Sequence, residues 1–152
     1  MLRLSKKADY ALLAMRHLAA HADREAVSAR ELAETYDIPA ELLAKVLQKL
    51  VRARLLESHQ GLRGGYGLSR PALAVSVAEV IQAVDGPLMV TACSEDDQTC
   101  DQYSKCGIRD PLWRIKDRIV AALSATSVAD LAVDLSQPPP VLQGVMPMTV
   151  RK

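Results

Sequence analysis

Three cysteines are the residues of this chain best suited to bind a metal or to carry redox chemistry. Cys93, Cys100 and Cys106 are the only cysteines in the 152 residues, and they are spaced as C-x6-C-x5-C. An odd number of thiols argues against a disulfide framework, and a structural zinc site usually has four ligands with at least one closely spaced cysteine pair. An iron–sulfur cluster accepts widely spaced thiolates together with one ligand that is not cysteine. The spacing therefore favours a cluster.

Acidic residues flank these thiols at Glu95, Asp96, Asp97 and Asp101. Negative neighbours disfavour a bare thiolate, whereas a bound metal cation would offset their charge. A polar, acidic loop is also unlike the apolar surroundings in which cysteine is buried as a small hydrophobic residue. We therefore expect a metal or cluster site in this loop, with three incidental thiols as the alternative.

A local excess of positive charge indicates a second kind of chemistry, the binding of a polyanion. The chain has a net charge of only +1, but residues 1–70 contain twelve Lys and Arg against eight Asp and Glu, and residues 71–152 contain seven against ten. Between positions 45 and 70 only Glu57 opposes the bases Lys45, Lys49, Arg52, Arg54, Arg63 and Arg70. A near-neutral chain with one basic patch suits a defined polyanion better than general coating of nucleic acid.

Helices and a hairpin are predicted to position these bases. Apolar residues at helical spacing predict a first helix over residues 5–22, and the capping-box pattern Ser28-Ala29-Arg30-Glu31 begins a short second helix. Pro39 suits the first position of a third helix over residues 39–54. Two strand-like runs around the glycine-rich segment 60–65 predict a β-hairpin. The third helix is predicted to turn Leu43, Val46, Leu47 and Leu50 toward the core.

This order of elements is typical of a winged helix-turn-helix, a mainly α fold with a small β-hairpin wing. An α-helix fits the DNA major groove, and glycines let a wing approach the phosphates or the minor groove closely. A basic helix face alone is usually a solvated surface, and glycine-tipped hairpins are common, so the prediction of DNA binding depends on their combination. The DNA contacts that we predict are Lys6, Arg30, Glu41, Lys45, Gln48, Lys49, Arg52, His59, Gln60, Arg63 and Tyr66.

The C-terminal half is predicted to contain three further helices and a tail. A second capping box at Ser76–Glu79 begins a helix that ends near Asp85, and a loop over about residues 90–107 holds the cysteines. A strongly periodic helix begins at Asp110, and Ser127 caps a short last helix. From residue 136 the chain has three consecutive prolines and no periodic pattern, so we expect a mobile tail. The predicted organisation is a DNA-binding domain at 1–75, the cysteine loop and further helices at 76–135, and the tail at 136–152.

Composition and motifs exclude several classes of protein. Hydrophobic residues make up 49% and charged residues 24%, which is ordinary for a globular chain, and the absence of Phe implies an aliphatic core. No apolar run approaches the roughly 18 residues that a membrane span needs, and the N-terminus lacks the pattern of a signal peptide. We therefore expect a cytoplasmic protein with no membrane partner. A P-loop, a dinucleotide fingerprint and an HExxH motif are all missing, so we do not expect an enzyme.

Four stretches of the chain form a recognisable combination: residues 4–12 (LSKKADYAL), 63–68 (RGGYGL), 80–87 (VIQAVDGP) and the cysteine loop. They resemble the IscR/NsrR family of bacterial winged-helix transcription regulators, and the resemblance covers about residues 1–135. It implies a homodimer joined through a long C-terminal dimerisation helix at about 109–125, bound to a partly palindromic double-stranded DNA operator. It also implies an iron–sulfur cluster on the three cysteines whose state controls DNA affinity, and we favour a 2Fe-2S over a 4Fe-4S cluster.

The sequence departs from that family in three places. The first cysteine gap is six residues where IscR-type members usually have five, and no His follows Cys106, where those members place a fourth ligand. NsrR-type members use an acidic residue early in the first helix of the partner subunit, so the resemblance implies Asp9 as the fourth ligand. The alternative for Asp9 is an ordinary exposed carboxylate near a helix start. His17 and His21 are further candidates for the fourth ligand, but we expect them instead to be surface histidines. The predicted helix face of Glu41, Lys45 and Gln48 also differs from IscR, so the operator sequence does not carry over.

The sequence therefore predicts a transcription regulator, a repressor whose operator affinity is controlled by a cluster that senses redox, nitric oxide or iron–sulfur status. One alternative keeps the DNA binding and replaces the cluster by thiol-based or small-molecule sensing. The other is a zinc-stabilised module for protein interaction.

Overall fold

The computed structural model of the chain describes residues 3–91 and 100–133. It is mainly helical with one two-stranded antiparallel hairpin, which confirms the predicted fold class. The tail predicted from residue 136 lies outside the described residues. Within them, no helix is both long and apolar enough to cross a membrane. The elements are α1 (Lys6–Ala20), α2 (Ala29–Thr35), α3 (Ala40–Arg52), β1 (Leu56–His59), β2 (Gly65–Leu68), α4 (Val77–Asp85), α5 (Arg109–Ala125) and α6 (Val128–Ala132), with 3-10 turns at Ala72–Ala74 and Tyr103–Lys105.

An aliphatic core holds the first three helices and β1 together. Met15 of α1 and Leu32 of α2 are completely buried in it. The inward face predicted for α3 is confirmed, because Leu43, Val46, Leu47 and Leu50 are its buried residues. Burying a leucine or valine side chain stabilises a fold by about 1.5–3 kcal/mol, so this face fixes the rotation of α3 about its axis. The polar face of α3 is therefore turned to solvent.

A tight turn separates α2 from α3. Asp37, just beyond α2, has a left-handed φ of 51°, and the Ile38 amide donates to the Ala33 carbonyl over 3.0 Å. This bond pattern ends the helix in a Schellman motif. Pro39 occupies the N-cap position of α3, so the helix begins at Ala40, one residue later than predicted.

The N-terminus of α2 departs from the predicted capping box. The Ser28 hydroxyl accepts from the Glu31 amide, as expected. The Glu31 carboxylate, however, pairs with the Arg24 guanidinium, with Nη2 donating to Oε2 over 2.8 Å. This pairing lowers the pKa of Glu31 and raises that of Arg24. The Glu31 carboxylate therefore does not complete the capping box at Ser28, because it pairs instead with Arg24 from the preceding loop.

The expectation that His17 is a surface residue is wrong. His17 is only 7% exposed, and its Nδ1 lies 3.1 Å from the Tyr36 hydroxyl at the end of α2. His21 stacks on the His17 ring at 4.2 Å between centroids. Desolvation and, secondarily, the neighbouring His21 lower the pKa of His17. A buried, neutral imidazole therefore joins α1 to α2.

Two of the C-terminal helices, α4 and α6, pack against α1, and α5 packs against α4. The capping box predicted at Ser76 begins α4, and Ser127, which was predicted to cap the last helix, begins α6 with a full capping box. The two caps are joined by backbone bonds, from the Val77 amide to the Thr126 carbonyl and from the Val128 amide to the Val75 carbonyl. A small apolar cluster of Ala8, Val77 and Ile81, with Leu12, Leu123 and Leu131 packed on it, completes the contact.

Candidate nucleic-acid interface and cysteine loop

α3 presents four polar side chains to solvent on one face. Glu41, Lys45, Gln48 and Arg52 are all exposed, and their spacing of four, three and four residues places them on the same side of the helix. This stripe is the surface predicted from the sequence. An exposed helix face with two cations and a hydrogen-bonding amide has the shape and chemistry of a major-groove reader.

Lys49 was predicted on the same stripe, but its ammonium is engaged within the fold. Lys49 Nζ donates to the Val84 carbonyl over 2.7 Å. That carbonyl belongs to the last turn of α4, where backbone oxygens lack helical partners and the helix dipole is negative. Lys49 therefore clamps α3 to the C-terminal end of α4.

The N-terminus of α1 adds a cation that the sequence analysis missed. Lys7 lines a shallow hollow of about 210 Å³ together with Lys45, Gln48 and Arg52 of α3. Nothing in the local pattern places residue 7 beside residue 45, because the contact is tertiary. Lys6, which was predicted as a DNA contact, is exposed, and its Nζ lies 3.9 Å from Asp9 Oδ2.

The wing is an antiparallel hairpin whose strands pair from Leu56↔Leu68 to His59↔Gly65. Near the tip end of β2, Val27 exchanges two backbone bonds with Tyr66, of 3.0 and 2.8 Å. Gly65 permits this close approach, because a Cβ at that position would lie 2.3 Å from the Val27 carbonyl oxygen. The hairpin is thus attached to the segment that begins α2, so its position relative to the helices is set by the backbone.

The remaining predicted contacts lie around this wing and on α2. Gln60 and Arg63 are exposed near the hairpin tip, whereas His59 and Tyr66 are half-buried. Tyr66 packs against the aliphatic core. Arg30 is exposed on α2, and its Nε donates to Glu34 over 2.7 Å, which raises the pKa of Arg30.

The cysteine loop connects α4 to α5, and the structure describes its second half. Cys93 lies outside the described residues. Cys100 is exposed and Cys106 is half-exposed, both as free thiols, and they flank the 3-10 turn Tyr103–Lys105. The Tyr103 amide donates to the Cys100 carbonyl over 2.9 Å, which shapes this turn. Over residues 3–91 and 100–133, no three His, Cys, Asp or Glu side chains come together as a metal site.

Arg109 anchors the end of the loop to the start of α5. Its guanidinium lies 4.5 Å from the centroid of the Tyr103 ring and 5.3 Å from that of Trp113, both within cation–π range. Arg109 Nε also donates to Asp110 over 2.7 Å. This bond lowers the pKa of Asp110 and raises that of Arg109. The turn between the two described cysteines is therefore held against α5.

α5 has the length predicted for it, but none of its residues is buried. Ile115 is 45% exposed, and Ile108 just before the helix is also exposed. Leu123 is the part of its apolar stripe that packs on the small cluster beside α1. A 17-residue helix with no buried residue and a partly exposed apolar stripe is unusual for a surface helix of a monomer.

Comparison with known proteins shows which family and which relatives this chain resembles. The profile of the Rrf2 family, described as iron-dependent transcriptional regulators, matches residues 4–134. An HTH-type transcriptional regulator of Mycobacterium tuberculosis is 42% identical over 87 residues, 57% of this chain. The match spans about half of that relative, 54% of its length.

Two further relatives match over most of their length. The HTH-type transcriptional regulator IscR of Photorhabdus laumondii is 34% identical over 131 residues, covering 86% of this chain and 79% of that protein. The structure of CymR, the global cysteine regulator of Bacillus subtilis, is similar with a TM-score of 0.72 and 28% identity, covering 87% of this chain and 97% of that one. All of these relatives are transcription regulators and none is an enzyme.

Proposed function

Because the chain belongs to the Rrf2 family of transcriptional regulators, we propose that it is a repressor that binds a DNA operator as a homodimer under the control of an iron–sulfur cluster. The observation that carries this proposal is the exposed polar stripe of α3 beside a basic wing attached to the same domain. On the stripe, the Gln48 amide can donate and accept hydrogen bonds at base edges, and the Glu41 carboxylate can accept them. Lys45 and Arg52 would neutralise phosphates. Lys6, Arg30 and Arg63 would extend the phosphate contacts on either side.

Dimerisation is assigned to α5. Its apolar stripe contains Leu112, Ile115, Ile119, Ala122 and Leu123, and only the last of these packs on the small cluster of this chain. A second copy of α5 would cover the remainder in a two-fold interface. Two recognition helices related by a two-fold axis read a partly palindromic operator, with half-sites about one helical turn apart.

The donors of the cysteine loop suit an iron–sulfur cluster. The described thiols of Cys100 and Cys106 are accessible and unpaired, and thiolates are the usual ligands of such clusters. Cys93 would be the third ligand and Asp9 of the partner subunit the fourth, and a 2Fe-2S cluster is the favoured type. A bound cluster supplies reversible one-electron chemistry. Arg109, beside the loop, places a positive charge near the thiolates that would hold it.

Coupling between the loop and DNA is assigned to α4 and α5. The loop begins at the end of α4, whose last turn holds Lys49 of α3 through the Val84 carbonyl. It ends at Arg109, the first residue of α5. A rearrangement of the loop would therefore act on both the recognition helix and the dimer helix, which set the distance between the two DNA-reading faces.

Operator binding by the full chain tests the DNA-binding part of this proposal. We would select duplexes from a random-sequence pool and measure affinity against salt concentration by fluorescence anisotropy. Lys45→Gln should lower the slope of log affinity against log salt by about one, because one phosphate contact is lost. Arg114→Gln is the matched control, since Arg114 is exposed on α5 opposite its apolar stripe. Equal slopes for the two variants and the native chain would contradict the assignment of α3.

Iron and acid-labile sulfide assays on anaerobically purified protein test the cluster. We expect near-equal iron and sulfide in the native protein, and loss of both in Cys106→Ala with an unchanged far-ultraviolet circular dichroism spectrum. If the native protein contains no iron and also resists reconstitution, the proposal of a cluster is contradicted, while the DNA-binding proposal stays intact. Zinc in place of iron would support the structural zinc site instead.

A second candidate function is thiol-based sensing without a cluster. It is favoured by the two accessible free thiols and by the similarity to the cysteine regulator CymR. Hydrogen peroxide would take two electrons from Cys100 and Cys106, so that one S–S bond forms and the O–O bond breaks. The two thiol protons pass to the two peroxide oxygens, which leave as two molecules of water. Mass spectrometry of the peroxide-treated protein distinguishes the candidates, because only the second predicts a reversible Cys100–Cys106 disulfide in a protein without iron.

A further inference from the structure

We infer that Leu62, at the tip of the wing, is an apolar wedge that enters the minor groove of the operator and contributes to sequence discrimination. This inference rests on the proposed DNA binding. It concerns a residue that the charge pattern does not reveal, because the basic wing is otherwise defined by Arg63 and its glycines.

The first observation is the composition of the tip. The Gly64 amide donates to the Gly61 carbonyl over 3.0 Å and closes the turn, so only Leu62 and Arg63 have side chains between the two glycines. Gly61 has a φ of 106°, a conformation that residues with a side chain rarely adopt. The tip therefore presents one apolar side chain and one cation.

The second observation is that Leu62 has no cover within the described chain. Its exposure is 109% of the reference value, against 78% for Leu73, the next most exposed large apolar residue among those described. Single exposed leucines are normal on protein surfaces. Leu62 differs in standing at the end of a hairpin that two backbone bonds between Val27 and Tyr66 hold against the helical domain. A wedge needs such a fixed support.

The surroundings of Leu62 favour a nucleic acid over an apolar protein surface. Its neighbours Gln60 and Arg63 are polar and exposed, so there is no apolar patch of the size that a protein interface uses. A narrow minor groove attracts an inserted arginine, and leucine is among the side chains that insert between base steps and partly unstack them. Arg63 would supply the attraction and Leu62 the wedge. Flexible pyrimidine–purine steps would be preferred under the tip, since they unstack at least cost.

The test compares variants of the full chain on one duplex selected from a random-sequence pool. Leu62→Ala should weaken binding by about tenfold or more, because the leucine side chain that the DNA would bury in the complex is lost. The slope of log affinity against log salt should stay that of the native protein. Leu62→Met should recover most of the affinity, since it restores the apolar bulk. Leu73→Ala is the matched control outside the wing and should bind like the native chain. Arg63→Gln should instead lower the salt slope by about one.

Unstacking gives a readout that a purely structural role would not change. With 2-aminopurine placed at successive adenines of the duplex, native protein should raise the fluorescence at one step in each half-site, and Leu62→Ala should abolish that rise at saturating concentration. The inference is overturned if Leu62→Ala binds within twofold of native protein, or if no position brightens on binding. If the native chain selects no duplex at all, the proposed function itself fails, which is a different result.

Discussion

The bond between Lys49 and Val84 leads to a prediction that separates a structural lysine from a DNA-binding one. Lys49→Met keeps most of the aliphatic stem and removes the ammonium that donates 2.7 Å to the Val84 carbonyl. A hydrogen bond to a charged group contributes about 1.5–3 kcal/mol, and the half-exposed position of Lys49 reduces this by solvent screening. We therefore expect the free energy of unfolding to fall by about 1 kcal/mol.

The control is Lys45→Met, one turn earlier on the same helix and exposed to solvent. Its free energy of unfolding should stay within about 0.5 kcal/mol of the native value, as for most surface substitutions. Urea unfolding followed by circular dichroism measures both variants, and anisotropy on the selected duplex measures their salt slopes. Lys45→Met should lower the slope by about one, and Lys49→Met should leave it unchanged. The reasoning is refuted if Lys49→Met unfolds at the native urea midpoint and lowers the slope by one, because Lys49 would then be a phosphate contact.

Three further outcomes are expected. Because folding lowers the pKa of His17 from 6.5, the unfolded chain binds a proton at this residue more readily than the folded chain does. The free energy of unfolding should therefore fall as the pH drops from about 7 through 6.5 toward the pKa of the folded state. Urea titrations at stepped pH should show this dependence, and His17→Phe should flatten it. Gly65→Ala should lower the free energy of unfolding by about 2 kcal/mol, since the new Cβ would meet the Val27 carbonyl. Gly61→Ala has open space around the new Cβ and should lower the melting temperature less than Gly65→Ala does. Equal shifts in melting temperature for the two variants would contradict the attachment of the wing. Ile115→Asp should give monomers in analytical ultracentrifugation while Leu73→Asp does not, and a dimeric Ile115→Asp protein would move the interface away from α5.

Local patterns predicted most of the helices and the hairpin. The capping box at Ser76 and the cap at Ser127 form as expected, because the hydroxyl, the carboxylate and the amides that they join lie within four residues. The inward face of α3 was also predictable, since helical periodicity alone places Leu43 and Leu47 on one side. In both cases the interacting groups are close along the chain, so the sequence contains the whole interaction.

The parts that the sequence analysis missed depend on contacts between distant segments. His17 is buried beside Tyr36, the residue after α2, and Glu31 leaves its expected cap because Arg24 pairs with it from a loop. Lys7 joins the α3 surface, and Lys49 turns to α4, for the same kind of reason. None of these partners follows from helical spacing, and each polar group pairs with whichever charge the folded chain brings near it.

Local sequence patterns were enough to predict the order of elements, the polar stripe of α3 and a loop of three thiols, because periodicity, caps and glycine positions act over a few residues. The packing of the folded chain, in contrast, sets which basic residues remain available to a ligand. It assigned Lys49 to a helix clamp, brought Lys7 beside α3 and raised Leu62 on an attached wing. It also left α5 without a buried residue. The physical reason is that burial and hydrogen bonding across the core are properties of residues far apart in the chain, which meet only when the fold is complete.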